Sequence, residues 1–241
     1  MSKHLPNAPI REALIDIRTQ LPTEFEVGTF LDAYAEFENE YPTKKDKIGI
    51  AYHIGPDVEL AKQEKEIEGF LFHSKDGRIV QFRKNGFTFN KLKPYSSWED
   101  IYPEAMHYWS LYCQIASPIT VTRLAVRNIN DIELPGDNLE LEEYIKVPPR
   151  LPPDLYFNIT GFMSRIGVQQ AESEINGWIT LSTEKSAKPE YAHFVLDIDA
   201  YKEVDLNRDS EQIKEILNLL RRFKNDLFFG LITETLKSRF E

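Results

Sequence analysis

The strand-like stretch HFVLDIDAY, residues 193 to 201, places His193, Asp197 and Asp199 on one side of a pleat and Phe194, Leu196 and Ile198 on the other. Two carboxylates two residues apart, with an imidazole four residues away, are the groups that a divalent cation or an acid–base pair would use. The same pattern also describes the solvated outer face of an antiparallel strand, and that is the reading favoured. These three residues are the catalytic candidates of the chain.

Arg18, Arg123 and Arg127 are arginines inside strand patterns rather than at turns. An arginine aimed at a sheet face either pairs with a neighbouring acid, here Asp16 or Asp131, or helps build a concavity that recognises anions. A second basic group lies in FRKNGFTFNKLKPYSSW, residues 82 to 98, where Arg83, Lys84, Lys91 and Lys93 alternate with aromatic rings. Basic residues among rings suit nucleic acid. A hairpin whose Phe87 and Phe89 share one face, however, fits core packing better than a stacking platform.

Glu104 and His107 share a helical face at the i, i+3 spacing of carboxylate-bridged metal sites. No second such pair exists, and the remaining histidines, His4, His53, His73 and His193, lie outside any helical pair, so the expectation is no metal. Cys113 reads as a small apolar residue in a helix rather than a nucleophile. The sequence has no GxSxG, no Walker-type loop and no GxGxxG. No cofactor is expected, and the balance leans away from an enzyme.

The elements that must position these residues follow from periodicity. Residues 10 to 21, IREALIDIRTQL, alternate Ala13, Ile15 and Ile17 with Glu12, Asp16 and Arg18, as a half-buried strand does. Phe30, Leu31, Tyr34, Phe37 and Tyr41 recur at helical spacing and predict a helix over 27–41. Strands are expected at 48–54, 66–74, 78–82 and 87–92. Asp76-Gly77 and Asn85-Gly86 turn the last three into a meander, as tight turns with both central residues at positive φ.

Ser96 or Ser97 caps a helix over 98–116. A strand over 119–133 follows, with Val121, Arg123, Ala125, Arg127 and Ile129 on one face. Residues 135–153 hold five prolines and an acidic cluster and mark a connection. Strands over 157–168, 176–183 and 191–204 precede a final helix that Asp209 or Ser210 caps, with a close contact or a break expected at Gly230.

This order predicts an α+β fold, antiparallel sheet with helices on one face, in two loosely similar halves. The N-terminal half covers 1–134 and the C-terminal half 154–241, joined by 135–153 and able to pack as one unit.

The totals bound the rest. The 241 residues carry a formal net charge of -10, from 29 Lys plus Arg against 39 Asp plus Glu, so the mean field repels polyanions and nucleic acid is disfavoured as a partner. One cysteine excludes an internal disulfide and points to a reducing compartment. Polar residues stand where a secretory leader would need an apolar run, and no apolar stretch approaches the ~18 residues of a membrane span. The expected location is the cytoplasm.

The segments LPNAPIREALIDIR, RLAVRNIN at 123–130 and DLFFGLITETLKSRF at the close resemble an uncharacterised, sporadically distributed prokaryotic family of proteins of about this length. Its motifs are strand and helix patterns, so the resemblance carries no catalytic residue across. It implies a cytosolic prokaryotic protein of an accessory system, defence and toxin neutralisation among such systems. The function expected is therefore a non-enzymatic binding protein that engages a protein partner, or itself, through a sheet face or its acidic surface. The alternative is an RNA-handling or nuclease-like protein using a sheet face.

Overall fold

The computed structural model describes residues 5–53, 62–136, 139–152, 154 and 159–241. The fold is α+β. Among the described residues nine antiparallel strands form one open sheet: β1 (Ile10–Gln20), β2 (Thr43–His53), β3 (Lys62–His73), β4 (Arg78–Arg83), β5 (Gly86–Leu92), β6 (Thr120–Pro135), β7 (Met163–Gln170), β8 (Ile175–Glu184) and β9 (Tyr191–Leu206). Their order across the sheet is β2-β3-β4-β5-β1-β6-β9-β8-β7. Two long helices, α2 (Trp98–Ala116) and α3 (Gln212–Leu231), pack on one face, with one-turn helices α1 (Tyr34–Phe37) and α4 (Glu234–Lys237) beside them. Residues 54 and 157–158, which end or begin two expected strands, lie outside the described residues.

Two stretches of the chain run in a similar order, with a four-strand meander in the first and a three-strand meander in the second. β1 leads to a meander that returns beside it through β5 and is followed by α2; β6 leads to a meander that returns beside it through β9 and is followed by α3. β1 and β6 pair with each other at the centre, so both stretches contribute to one sheet. Side-chain alternation then decides what each face carries. Ala13, Ile15, Ile17, Phe87, Phe89, Leu124, Val126 and Ile198 face the helices and are buried. Their neighbours along the chain face the other way.

Against those apolar rows α2 sets Trp98, Ile101, Ala105, Tyr108, Trp109 and Tyr112. Ser97 starts the helix by accepting the Asp100 amide at 3.1 Å. Phe82 sits among Phe30, Phe37, Phe72, Phe87 and Tyr112, with ring centroids 5.5 to 6.2 Å away. A second apolar cluster lies under the end of α3, where Ile132, Leu134, Ile145, Leu196, Leu231 and Ile232 meet. Ser210 Oγ accepts the Gln212 amide ahead of α3, and the helix breaks at Ile232, which is extended.

Three expectations need correction. The helix over 27–41 is a 3-10 turn at Val27–Leu31 and the four-residue α1, because burying Phe30, Phe37 and Tyr41 needs only two short turns. Val121 turns to the core side rather than joining Arg123, because a bulge at Thr122 shifts the register. In both tight turns only the glycine has positive φ, at 83° for Gly77 and 142° for Gly86, so the glycine closes the turn instead of sharing its centre. Gly230 has open space around it; its place beside a helix break, not a close contact, is what the structure shows.

Gly86 is also pressed against β1: a Cβ there would stand 2.2 Å from the Ile17 carbonyl oxygen. Gly86→Ala is expected to lower the unfolding free energy by about 2 to 3 kcal/mol, read from a urea titration. A loss below about 0.5 kcal/mol would show that β4 and β5 do not approach β1 in this register.

Candidate functional site: an arginine-lined concavity on the uncovered sheet face

Among the described residues no helix covers the second face of the sheet. At its middle, β1, β4, β5, β6 and β9 present Asp16, Arg18, Arg83, Thr88, Arg123, Arg127 and Asp199 around a concavity of about 210 Å³. Pairing register creates this cluster from residues up to 183 positions apart: Arg18 stands opposite Arg123, Asp16 opposite Thr88, and Arg127 opposite Asp199.

Asp16 is the hub. Its Oδ1 accepts Arg83 Nη2 at 2.5 Å and the Thr88 hydroxyl at 2.7 Å, while its Oδ2 lies 3.4 Å from Arg123 Nη1 and 3.5 Å from Arg18 Nε. Arg123 also donates to Asp199 at 3.0 Å and lies 4.4 Å over the Tyr201 ring. Arg127 grips Asp197 through two N–H groups, at 2.7 and 2.5 Å. Arg83 is the most enclosed of the four arginines, and its Nε is buried with no hydrogen-bond partner among the described residues.

Burial pushes the Asp199 carboxyl above its ordinary range despite Arg123 and Arg127, which act to lower it. Beyond the concavity the same face carries Arg165 stacked 4.2 Å over Trp178. Arginine with tyrosine and tryptophan, held in fixed stacked positions, is the composition favoured in protein interfaces.

The sequence candidates divide. Arg18, Arg123 and Arg127 converge, and they do so while pairing with acids; Asp16 is the shared partner, but Asp131 is taken by Arg11 and His193 instead. His193, Asp197 and Asp199 share the uncovered face without forming one site. Each carboxylate is held by an arginine, and His193 Nε2 is 3.2 Å from Asp131 Oδ1. Four residues of extended strand separate His193 from Asp197 by roughly 13 Å, which explains why the trio never closes.

The basic hairpin also splits. Arg83 joins the concavity, Lys84 pairs with Glu66, Lys91 is buried on the helix side with its Nζ 2.6 Å from the Asp76 carbonyl, and Lys93 is exposed. The pleat sends Arg83 and Lys91 to opposite faces, so no basic ribbon forms. Glu104 accepts from Tyr41 at 2.7 Å and Arg78 at 2.5 Å, which makes it a link between α2 and the sheet. Among the described residues no group of three His, Cys, Asp or Glu could hold a metal ion. Cys113 is buried and its thiol is pushed up to about 12 by burial, which suits an inert core residue.

Arg83 belonged to the hairpin reading and not to an arginine cluster; only strand pairing joins it to Asp16. Tyr201 could have been read, since it follows Asp197 and Asp199 in the same alternation. No family model, no curated protein and no solved structure matches the chain. No helix among the described residues is long and apolar enough to cross a membrane.

Proposed function

We propose that the protein is a non-enzymatic binding protein that engages a partner protein across its uncovered sheet face, with the arginine concavity receiving an acidic side chain of that partner. The observation that carries this reading is the convergence of Arg18, Arg83, Arg123 and Arg127 in one concavity of a face that no described helix covers. Four guanidinium groups there meet Asp16, Asp197, Asp199 and Glu203, yet each guanidinium carries five N–H donors and Arg83 Nε has no hydrogen-bond partner among the described residues, so an incoming carboxylate still finds donors.

Size supports it too. Strands about 4.8 Å apart that average about 11 residues, at about 3.3 Å per residue, give the nine strands a face of roughly 1,500 Å², against the ~800 Å² per partner of a standard interface. Weighing against nucleic acid, the rings of Tyr201 and Trp178 lie under guanidinium groups rather than free for bases. The resemblance to a sporadically distributed prokaryotic family supports a place in an accessory system, toxin neutralisation included.

The test is site-specific photocrosslinking in cells of the source organism, with a benzophenone amino acid at Thr180 or Ser182 on the uncovered face and at Glu215 or Asn218 on α3. Open-face probes are expected to give one discrete protein adduct and α3 probes none. Adducts from the α3 probes alone would overturn the assignment, as would open-face adducts to RNA.

A further inference from the structure

The apolar stripe of α3 runs Ile213, Leu217, Leu220 and Leu231, and Lys224 stands on it, buried with them. With the Asn128 amide turned so that its nitrogen donates to the Arg127 carbonyl at 3.0 Å, its oxygen accepts from Lys224 Nζ at 2.8 Å. No carboxylate acts on this amine among the described residues; the one charge that does is Arg221, one turn earlier, which is itself 2.9 Å from Glu99 and stacked over Trp98.

Lys224 lines a cavity of about 90 Å³ between the sheet and the two long helices, walled by Ala13, Val126, Trp98 and Phe228. The lining extends from the buried amine to Tyr95, half-buried, and Glu99, exposed, so the cavity leads outward. At ~30 Å³ per water, it holds about three waters or a compound of similar size.

We propose that this cavity, separate from the arginine concavity, is a site for a small aldehyde or ketone that the Lys224 ε-amine captures as an imine. The nitrogen lone pair forms a C–N bond to the carbonyl carbon, the C–O π pair moves to oxygen, and a proton passes from nitrogen to oxygen to give a carbinolamine. The second N–H proton then joins that hydroxyl, the C–O bond breaks to release water and the nitrogen lone pair closes the C=N bond, so the sum is one water released and nothing oxidised or reduced.

Chemistry and surroundings agree. A lysine reacts with a carbonyl only as the neutral amine, and desolvation beside a second cation is the way to make one near neutral pH. Burial first, then Arg221, pushes the Lys224 amine down to about 7. Asn128 holds one N–H and fixes the direction of the lone pair. Burial raises the Tyr95 hydroxyl to about 12, so it stays neutral, and Glu99 is engaged by Arg221. Asn128 and Asn130, the polar residues the sheet presents to the cavity, carry no charge.

The test uses acetaldehyde as the probe, with limiting sodium cyanoborohydride at pH 7, followed by peptide mapping of ethylated lysines. Lys224 is expected to be labelled at least tenfold above any surface lysine, and its yield relative to theirs is expected to fall between pH 7 and 10 as they lose their protons. Lys224→Met should remove that peptide's label and leave the others. Labelling of Lys224 at or below the surface lysines would overturn the proposal.

A second measurement is independent of access to the cavity. The amine's folded pKa lies below its unfolded value of 10.5, so between about 7 and 10.5 the unfolded state binds more protons and stability rises with pH. Below that window the folded state carries the buried charge, and the penalty is full. Lys224→Met should therefore raise the urea midpoint most at pH 6 to 7, with the gain shrinking toward pH 10. A gain independent of pH would mean the amine is never neutral in the fold, which also overturns the proposal.

Discussion

Asp16→Ala is expected to lower the unfolding free energy by about 3 kcal/mol in a urea titration at pH 7, the loss seen when one partner of an enclosed ion pair is removed. The reason lies in what the carboxylate faces. Arg83, Arg123 and Arg18 all approach it, and Thr88 donates to it. Without it Arg83, whose side chain is only 9% exposed, meets no acid among the described residues and keeps only its bond to the Thr88 hydroxyl. Asp199→Ala should be milder, about 1 kcal/mol, because burial already disfavours that charge. Equal losses at both positions would show that Asp16 is not the hub of the cluster.

Phe82→Ala is the second large effect, expected at about 4 kcal/mol. Phe82 is fully buried and touches five other rings contributed by β3, β5, α2 and the segment before β2. Neither strand backbone nor α2 can close the space it leaves without moving several partners at once, so the cavity cost adds to the lost transfer energy. Phe25→Ala, at a partly buried ring whose one aromatic neighbour among the described residues is Phe30, should cost less than half as much. A Phe82→Ala loss under about 2 kcal/mol would mean the ring cluster relaxes freely.

The effects fall on opposite faces of the sheet, and the alternation along β1 shows how far the sequence could lead. IREALIDIR separates Ile15 and Ile17 from Asp16 and Arg18, and the structure keeps that separation. HFVLDIDAY is equally readable, down to Tyr201. What no local pattern carries is which strand lies beside which. Arg83 reaches Asp16 only because β5 sits between β4 and β1, and Arg123 reaches both Asp16 and Asp199 only because β6 sits between β1 and β9. The concavity is a product of register.

Local deviations were hidden for other reasons. The bulge at Thr122 turns Val121 inward without any glycine or proline to announce it. The aromatic spacing over 27–41 fits a helix and fits two short turns equally well, since both bury Phe30, Phe37 and Tyr41. Lys224 is a different case. Leu217, Leu220 and Lys224 follow at three and four along α3, so a lysine on the buried stripe was visible in the sequence before any cavity was known.

Binding across the uncovered face, rather than the helical face, is tested most directly by affinity. With the crosslinked partner purified, the decisive measurement is its Kd for the wild type, for Arg127→Gln combined with Arg165→Glu, and for Glu215→Lys on α3. At least a tenfold weaker Kd is expected for the sheet-face variant and less than a twofold change for the α3 variant. Unchanged binding by the sheet-face variant, with loss in the α3 variant, would contradict binding across the uncovered face.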